Sequence, residues 1–130
     1  MALSGLLPIL AAYIRKMGNE SSTKSIQKLS IVVPVYNEER TITNILDKIH
    51  EVTLIQGITK EIICVNDCSR DKSMDIINAY IAQHPDREIQ LYSHEVNQGK
   101  GAALHTGIKK ATGDWVVVQD ADLEYDPNDY

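Results

Sequence analysis

Asp120-x-Asp122-x-Glu124 follows the apolar run Trp115-Val-Val-Val after a single residue, Gln119. Two carboxylates one residue apart at the end of a buried strand can share a hard divalent cation with a diphosphate, because Mg2+ and Mn2+ take oxygen ligands. Acidic residues that only solvate a strand end give the same pattern, so the motif is decided by its context. Asp67, in Asn66-Asp-Cys-Ser-Arg-Asp71, follows a second apolar run. A carboxylate there can accept a hydrogen bond from a nucleobase ring N–H, with Arg70 in reach of a phosphate or an acidic neighbour. An Asx turn with a helix cap uses the same residues without a ligand.

Lys100 lies between two glycines, Gly99 and Gly101, and invites comparison with phosphate-binding loops. The Walker pattern fails, because His94 stands where its first glycine belongs and Gly101 where a Ser or Thr must follow the lysine. The dinucleotide fingerprint fails at Leu104, the place of its third glycine. A lysine at a helix start still reaches a phosphate or pairs with an aspartate. Cys64 and Cys68 have no partner pair at zinc spacing and read as buried or incidental thiols. His50, His84, His94 and His105 share no spacing that builds a nucleophile's base or a metal site, and read as surface or capping residues.

These residues need a scaffold, and the chain can build one. Its 130 residues, 43% hydrophobic, suffice for one domain. A net charge of -5 leaves no basic field for a nucleic-acid backbone. Two cysteines cannot staple a secreted disulfide scaffold, so a cytoplasmic setting is expected. No run reaches the roughly 18–20 apolar residues that span a bilayer. The apolar stretch from Leu3 to Ile14 precedes its basic residues, the reverse of a secretion signal. Residues 1–28 are therefore expected to form a flexible or interfacial N-terminal segment, with the folded domain over 29–130.

From Leu29 onward, short β-branched runs alternate with segments of helical period, which predicts a parallel sheet with crossover helices. Strands are expected at Leu29–Val35, Glu61–Val65, Glu88–Tyr92 and Trp115–Val118. The first helix buries Ile42, Ile45, Leu46, Ile49 and Val52. The second buries Met74, Ile77, Tyr80 and Ile81, with Ser69 or Asp71 as its cap. The third carries Leu104, Gly107, Ile108 and Ala111 and is expected to end at Gly113 in a left-handed conformation. Ligands of open α/β sheets bind beyond the carboxyl ends of the strands. The polar residues at 36–39, 66–71, 97–101 and 119–124 should thus face one crevice.

Four motifs in this order resemble the family 2 glycosyltransferases: Val33-Pro-Val-Tyr-Asn-Glu-Glu39, Val65-Asn-Asp-Cys-Ser-Arg-Asp71, Asn97-Gln-Gly-Lys-Gly-Ala-Ala-Leu104 with Gly107, and Gln119-Asp-Ala-Asp-Leu-Glu-Tyr-Asp-Pro127. The likeness covers Leu29 to Tyr130 and is strongest to the branch that moves a sugar from a nucleotide donor to a polyprenyl phosphate. It implies a GT-A fold: an α/β, Rossmann-like parallel sheet with helices on both faces, of which this chain holds the nucleotide-sugar-binding half. It also implies metal-assisted transfer with inversion, with Mg2+ or Mn2+ as cofactor. By the same resemblance Pro34, Tyr36 and Glu38 would line the nucleoside pocket and Asp67 would contact the base. Lys100 and Asp120 would approach the ribose or diphosphate, and Asp122 with Glu124 would hold the metal.

The implied partners are a UDP- or GDP-sugar and a lipid-phosphate acceptor, which places the protein at the cytoplasmic face of a membrane. Self-association through an uncovered sheet edge is a further expectation. The family's usual Asp-Asp-Gly-Ser is here Asn66-Asp-Cys-Ser69, which removes one carboxylate and a flexible glycine. The catalytic base of the resemblance is expected beyond Tyr130. Two other functions fit parts of the pattern. One is a non-catalytic nucleotide-sugar or partner-binding module. The other is a haloacid dehalogenase-type phosphatase, whose Asp-x-Asp closes the first strand and runs into Gly-Thr, whereas here it closes the fourth and runs into Leu123-Glu124.

Overall fold

The computed structural model describes residues 28–52 and 58–121. Four strands alternate with three helices in these residues: β1 (Lys28–Val35), α1 (Ile42–Glu51), β2 (Thr59–Asn66), α2 (Ser73–Gln83), β3 (Ile89–Ser93), α3 (Lys100–Lys110) and β4 (Trp115–Val118). All pairings are parallel and the strand order is β3-β2-β1-β4. The order reverses between β1 and β4, so the chain leaves β1 toward one side and later returns to the other. That reversal opens a crevice at the carboxyl ends of the two strands. β4 deepens it by stopping early: Val118 pairs with Val32, while β1 and β2 remain paired as far as Val35 and Asn66.

The two faces of β1 are covered by different helices, as the α/β expectation requires. Leu29, Ile31, Val33 and Val35 pack with Ile42, Ile45, Leu46 and Ile49 of α1 and with Ile77 and Tyr80 of α2 in one buried cluster. On the other face, Ile63 and Val65 of β2 pack with Ala103 of α3. Each face follows from the strand period of two.

Three expectations about the helices are corrected. Met74 is exposed, because the first turn of α2 buries Ser73 instead and leaves its neighbour facing outward. In α3 the buried residues are Ala103 and Gly107, whereas Ile108 is half exposed and Leu104 only partly covered. Small residues face inward there because helix and sheet approach closely: a Cβ on Gly107 would lie 2.3 Å from Cγ1 of Val32. Gly113 does not adopt a left-handed conformation, and Gly99 is the sole positive-φ glycine among the described residues. What Gly113 needs is space, since a Cβ there would lie 2.6 Å from the Ser30 hydroxyl and 2.8 Å from the Ser30 nitrogen.

Gly107→Ala therefore sets two effects against each other. Alanine gains roughly 0.5–1 kcal/mol of helix propensity, while forcing a methyl into a filled contact costs about 1–3 kcal/mol. Val32 is fully buried and its branched side chain has few alternative rotamers, so the expected net result is a loss of about 1–2 kcal/mol. Denaturant unfolding should show it as a lower midpoint with an unchanged slope.

Candidate functional site

The crevice is a cavity of about 370 Å³. Pro34, Tyr36, Glu38, Asp67, Lys100 and Asp120 all line it, together with Asn97, Gly99 and Ala103. Six of the eight residues expected from sequence thus meet in one place, contributed by the end of β1, three loops and the start of α3. Asp122 and Glu124 lie outside the described residues, as do residues 1–27.

The loop after β1 is stapled to the loop after β2. Asn37 donates its N–H to Ser69 Oγ at 3.0 Å and accepts the Arg70 N–H on its side-chain oxygen at 2.8 Å. The Glu38 N–H donates to Ser73 Oγ at 2.8 Å, and the Glu39 N–H to Asp71 Oδ2 at 3.2 Å. Of the two residues considered for capping α2, Asp71 serves the helix: its Oδ1 accepts both the N–H and the hydroxyl of Ser73. Burial pushes the Asp71 carboxyl up, but these hydrogen bonds outweigh it and hold the group below its ordinary range. Ser69 serves the neighbouring loop instead.

Every positive-φ residue among the described ones lies in these crevice loops: Asn37 at 54°, Cys68 at 59° and Gly99 at 93°. Cys68 occupies the glycine place of the family pattern and keeps the left-handed backbone that a glycine would adopt. The substitution costs about 1 kcal/mol of backbone strain without removing the turn. Cys64 is buried and its thiol is pushed up to about 12 by desolvation, which leaves it inert.

Asp67 is almost fully buried and its carboxylate holds the glycine-rich loop. Oδ1 accepts the Gln98 N–H at 2.8 Å and bonds His94 Nδ1 at 2.8 Å, while Oδ2 accepts the Gly99 N–H at 2.8 Å. Burial raises the Asp67 pKa, and the bonds from Gln98, His94 and Gly99 together pull it below the usual carboxylate value. Asn97 adds a bond from Nδ2 to the Asp67 carbonyl. His94 is accordingly neither a surface nor a capping residue, which corrects the sequence reading. Its ring bridges Asp67 to Thr106 of α3, with Nε2 2.8 Å from the Thr106 hydroxyl.

Lys100 Nζ lies 2.5 Å from Asp120 Oδ1, so the two link α3 to the end of β4 across the crevice. Both side chains are more than half exposed and available to exchange partners. Thr41 closes the same edge by donating to the Ala121 carbonyl at 2.8 Å. The lining carries the carboxylates Glu38, Asp67 and Asp120 against the single ammonium of Lys100. A diphosphate entering such a crevice needs additional positive charge. Among the described residues no group of three or more His, Cys, Asp or Glu side chains can hold a metal ion. The one carboxylate–ammonium pair at the crevice, Asp120 with Lys100, does not make a cation site by itself.

The match to known proteins agrees with this geometry. The family model described as glycosyl transferase family 2 covers residues 30–130, and the chain belongs to that family. An uncharacterized glycosyltransferase of Synechocystis sp. is 42% identical over 101 residues, which is 77% of this chain and 31% of that protein. The undecaprenyl-phosphate 4-deoxy-4-formamido-L-arabinose transferase of Yersinia pestis is 33% identical over 109 residues, 84% of this chain and 33% of that one. Among solved structures, a mannosyltransferase from Pyrobaculum calidifontis in complex with GDP-Man and Mn2+ superposes with a TM-score of 0.68 at 28% identity, over 88% of this chain and 35% of its own. The fold is therefore that of the GT-A nucleotide-sugar transferases. The chain spans about a third of the length of the curated relatives it matches.

Proposed function

We propose that these residues form the donor-binding part of a glycosyltransferase that takes a UDP- or GDP-sugar with Mg2+ or Mn2+ and passes the sugar to a polyprenyl phosphate at the cytoplasmic face of a membrane. The observation that carries the reading is the cavity at the strand-order reversal, which gathers Pro34, Tyr36, Glu38, Asp67, Lys100 and Asp120. In this reading the nucleoside lies against Pro34 and Tyr36. Asp67 accepts the base N–H on the Oδ2 lone pair that Gly99 leaves open, since a carboxylate oxygen accepts two bonds. Lys100 leaves Asp120 for the diphosphate, and Asp120 turns to the ribose. Asp122 and Glu124 hold the metal, which would neutralise the departing diphosphate.

The GDP-Man and Mn2+ held by the Pyrobaculum mannosyltransferase support the donor and the cation. The lipid-phosphate acceptor is supported by the name of the Yersinia relative. No helix among the described residues is long and apolar enough to cross a membrane.

Titration calorimetry with UDP, GDP and their sugars, with and without Mn2+, tests the reading. Binding is expected to strengthen with metal, and Asp122→Asn should remove most of that enhancement while leaving nucleoside affinity intact. Equal affinity with and without metal in both proteins overturns the metal assignment, and no binding of either nucleotide overturns the donor assignment.

A further inference from the structure

The loop that carries Gln98, Gly99 and Lys100 has few anchors of its own. It leaves β3 at Ser93 and enters α3 at Lys100, with Gly99 in a conformation that only glycine adopts readily. Besides the bonds from Asn97 Nδ2 to the Asp67 carbonyl and from Cys68 Sγ to the Glu95 carbonyl, it is held by a short chain of polar contacts running from α3 back to the end of β2. Thr106 meets His94 Nε2, His94 Nδ1 meets Asp67 Oδ1, and the Asp67 carboxylate takes the amides of Gln98 and Gly99. The side chains of His94 and Asp67 are 9% and 4% exposed, so water competes little for these bonds.

The hydrogen-bonding logic determines the ring's tautomer. Asp67 faces two backbone N–H donors and is held ionised, so it has no proton to offer. His94 Nδ1 must therefore carry the hydrogen of the Asp67 contact. In the neutral ring Nε2 is then bare and accepts the Thr106 hydroxyl hydrogen.

We propose that His94 is a positioning residue for the donor site: its ring, fixed as the Nδ1–H tautomer between Thr106 and Asp67, keeps the Asp67 carboxylate on the Gln98 and Gly99 amides and so sets where Lys100 meets the donor diphosphate. The proposal rests on the donor-binding reading above, and it assigns a role to a side chain that itself lines no part of the cavity. Without the ring, Asp67 can rotate away from the two amides, and the first turn of α3 loses its tie to β2.

Two near-isosteric substitutions separate positioning from bulk structure. Asparagine places an N–H where Nδ1 stands and reaches Asp67 but not Thr106. Glutamine places its amide where Nε2 stands and reaches Thr106 but not Asp67. His94→Gln and His94→Ala are expected to weaken UDP or GDP binding in the presence of Mn2+ by about tenfold to a hundredfold, the usual cost of losing a charged hydrogen bond behind a binding group. His94→Asn should stay within about threefold of the unaltered chain.

Amide hydrogen exchange at Gln98 and Gly99 should follow the same order with no nucleotide present, and long-range proton–nitrogen spectra should show Nδ1 protonated and Nε2 bare. Wild-type affinity in folded His94→Gln, a reversed order of Asn and Gln, or an Nε2–H tautomer overturns the proposal. If the unaltered chain binds neither nucleotide, the donor reading fails. Exchange at the two amides then still decides whether His94 holds the loop, and unchanged protection in His94→Gln overturns that role.

Discussion

Glu61→Ala is expected to remove about 3–5 kcal/mol of stability, the cost of leaving a buried charge network without its centre. The Glu61 side chain is completely buried in β2, far from the crevice, and every neighbour is a donor. Oε2 takes the Ser30 hydroxyl and the Thr112 N–H; Oε1 takes the Thr112 hydroxyl and lies 3.5 Å from Lys28 Nζ. Ser30 in turn accepts the Gly113 N–H, so one carboxylate joins β1 and β2 to the turn between α3 and β4. With domain stabilities of only about 5–15 kcal/mol, the loss should be visible as a large fall in Tm. Glu61→Gln should cost less but still destabilise, because its NH2 end must face donors. A change below about 1 kcal/mol in Glu61→Ala would show that the network contributes no more than a surface pair.

The same network predicts an acid transition. Burial pushes the Glu61 pKa up, but the bonds from Ser30 and Thr112 and the nearby Lys28 charge outweigh it and lower it from 4.5 to about 2. A group whose folded pKa is depressed binds its proton more readily when unfolded, so its contribution is complete above pH 4.5 and is lost as pH falls toward 2. Urea unfolding across that window should show stability falling with acid in the unaltered chain, and a shallower fall in Glu61→Gln.

The second large effect is on ligand affinity. Asp67→Ala is expected to weaken nucleoside and nucleoside diphosphate binding alike, by about tenfold to a hundredfold, because it removes one charged acceptor from the base and the clasp of the glycine-rich loop. Asp122→Asn should weaken only ligands that carry the diphosphate. The two patterns are told apart by comparing uridine or guanosine with UDP or GDP in the same calorimetric series. If Asp67→Ala lowers Tm but leaves nucleoside affinity unchanged in the folded protein, Asp67 is a loop clasp alone and does not read the base.

The alternation of β-branched runs with helical-period segments predicted every strand and helix among the described residues, with boundaries within a few residues. It succeeded because a two-sided parallel sheet writes its burial into local periodicity, as in Leu29, Ile31, Val33 and Val35 on one face of β1. The crevice residues Asp67, Lys100 and Asp120 were equally legible, since polar residues that interrupt an apolar run at a strand's end mark the edge where ligands bind.

Sequence alone did not show which contacts those residues make. His94 shares no spacing with Asp67 or Thr106, and the three meet because β2, β3 and α3 are adjacent in the fold. From sequence the second strand is expected to start at Glu61, with no role for the residue, whereas Glu61 stands third in β2. Its burial is set by Ser30 on the neighbouring strand and by Thr112, 51 positions away. The inward face of α3 misleads for a related reason: the sequence reading places Gly107 on it rightly but adds Leu104 and Ile108 for their hydrophobicity, whereas the close approach of helix and sheet buries Ala103 beside Gly107. Periodicity is a property of one segment and survives in the sequence. Hydrogen-bond partners and interlayer distances belong to pairs of segments, and only the tertiary structure decides them.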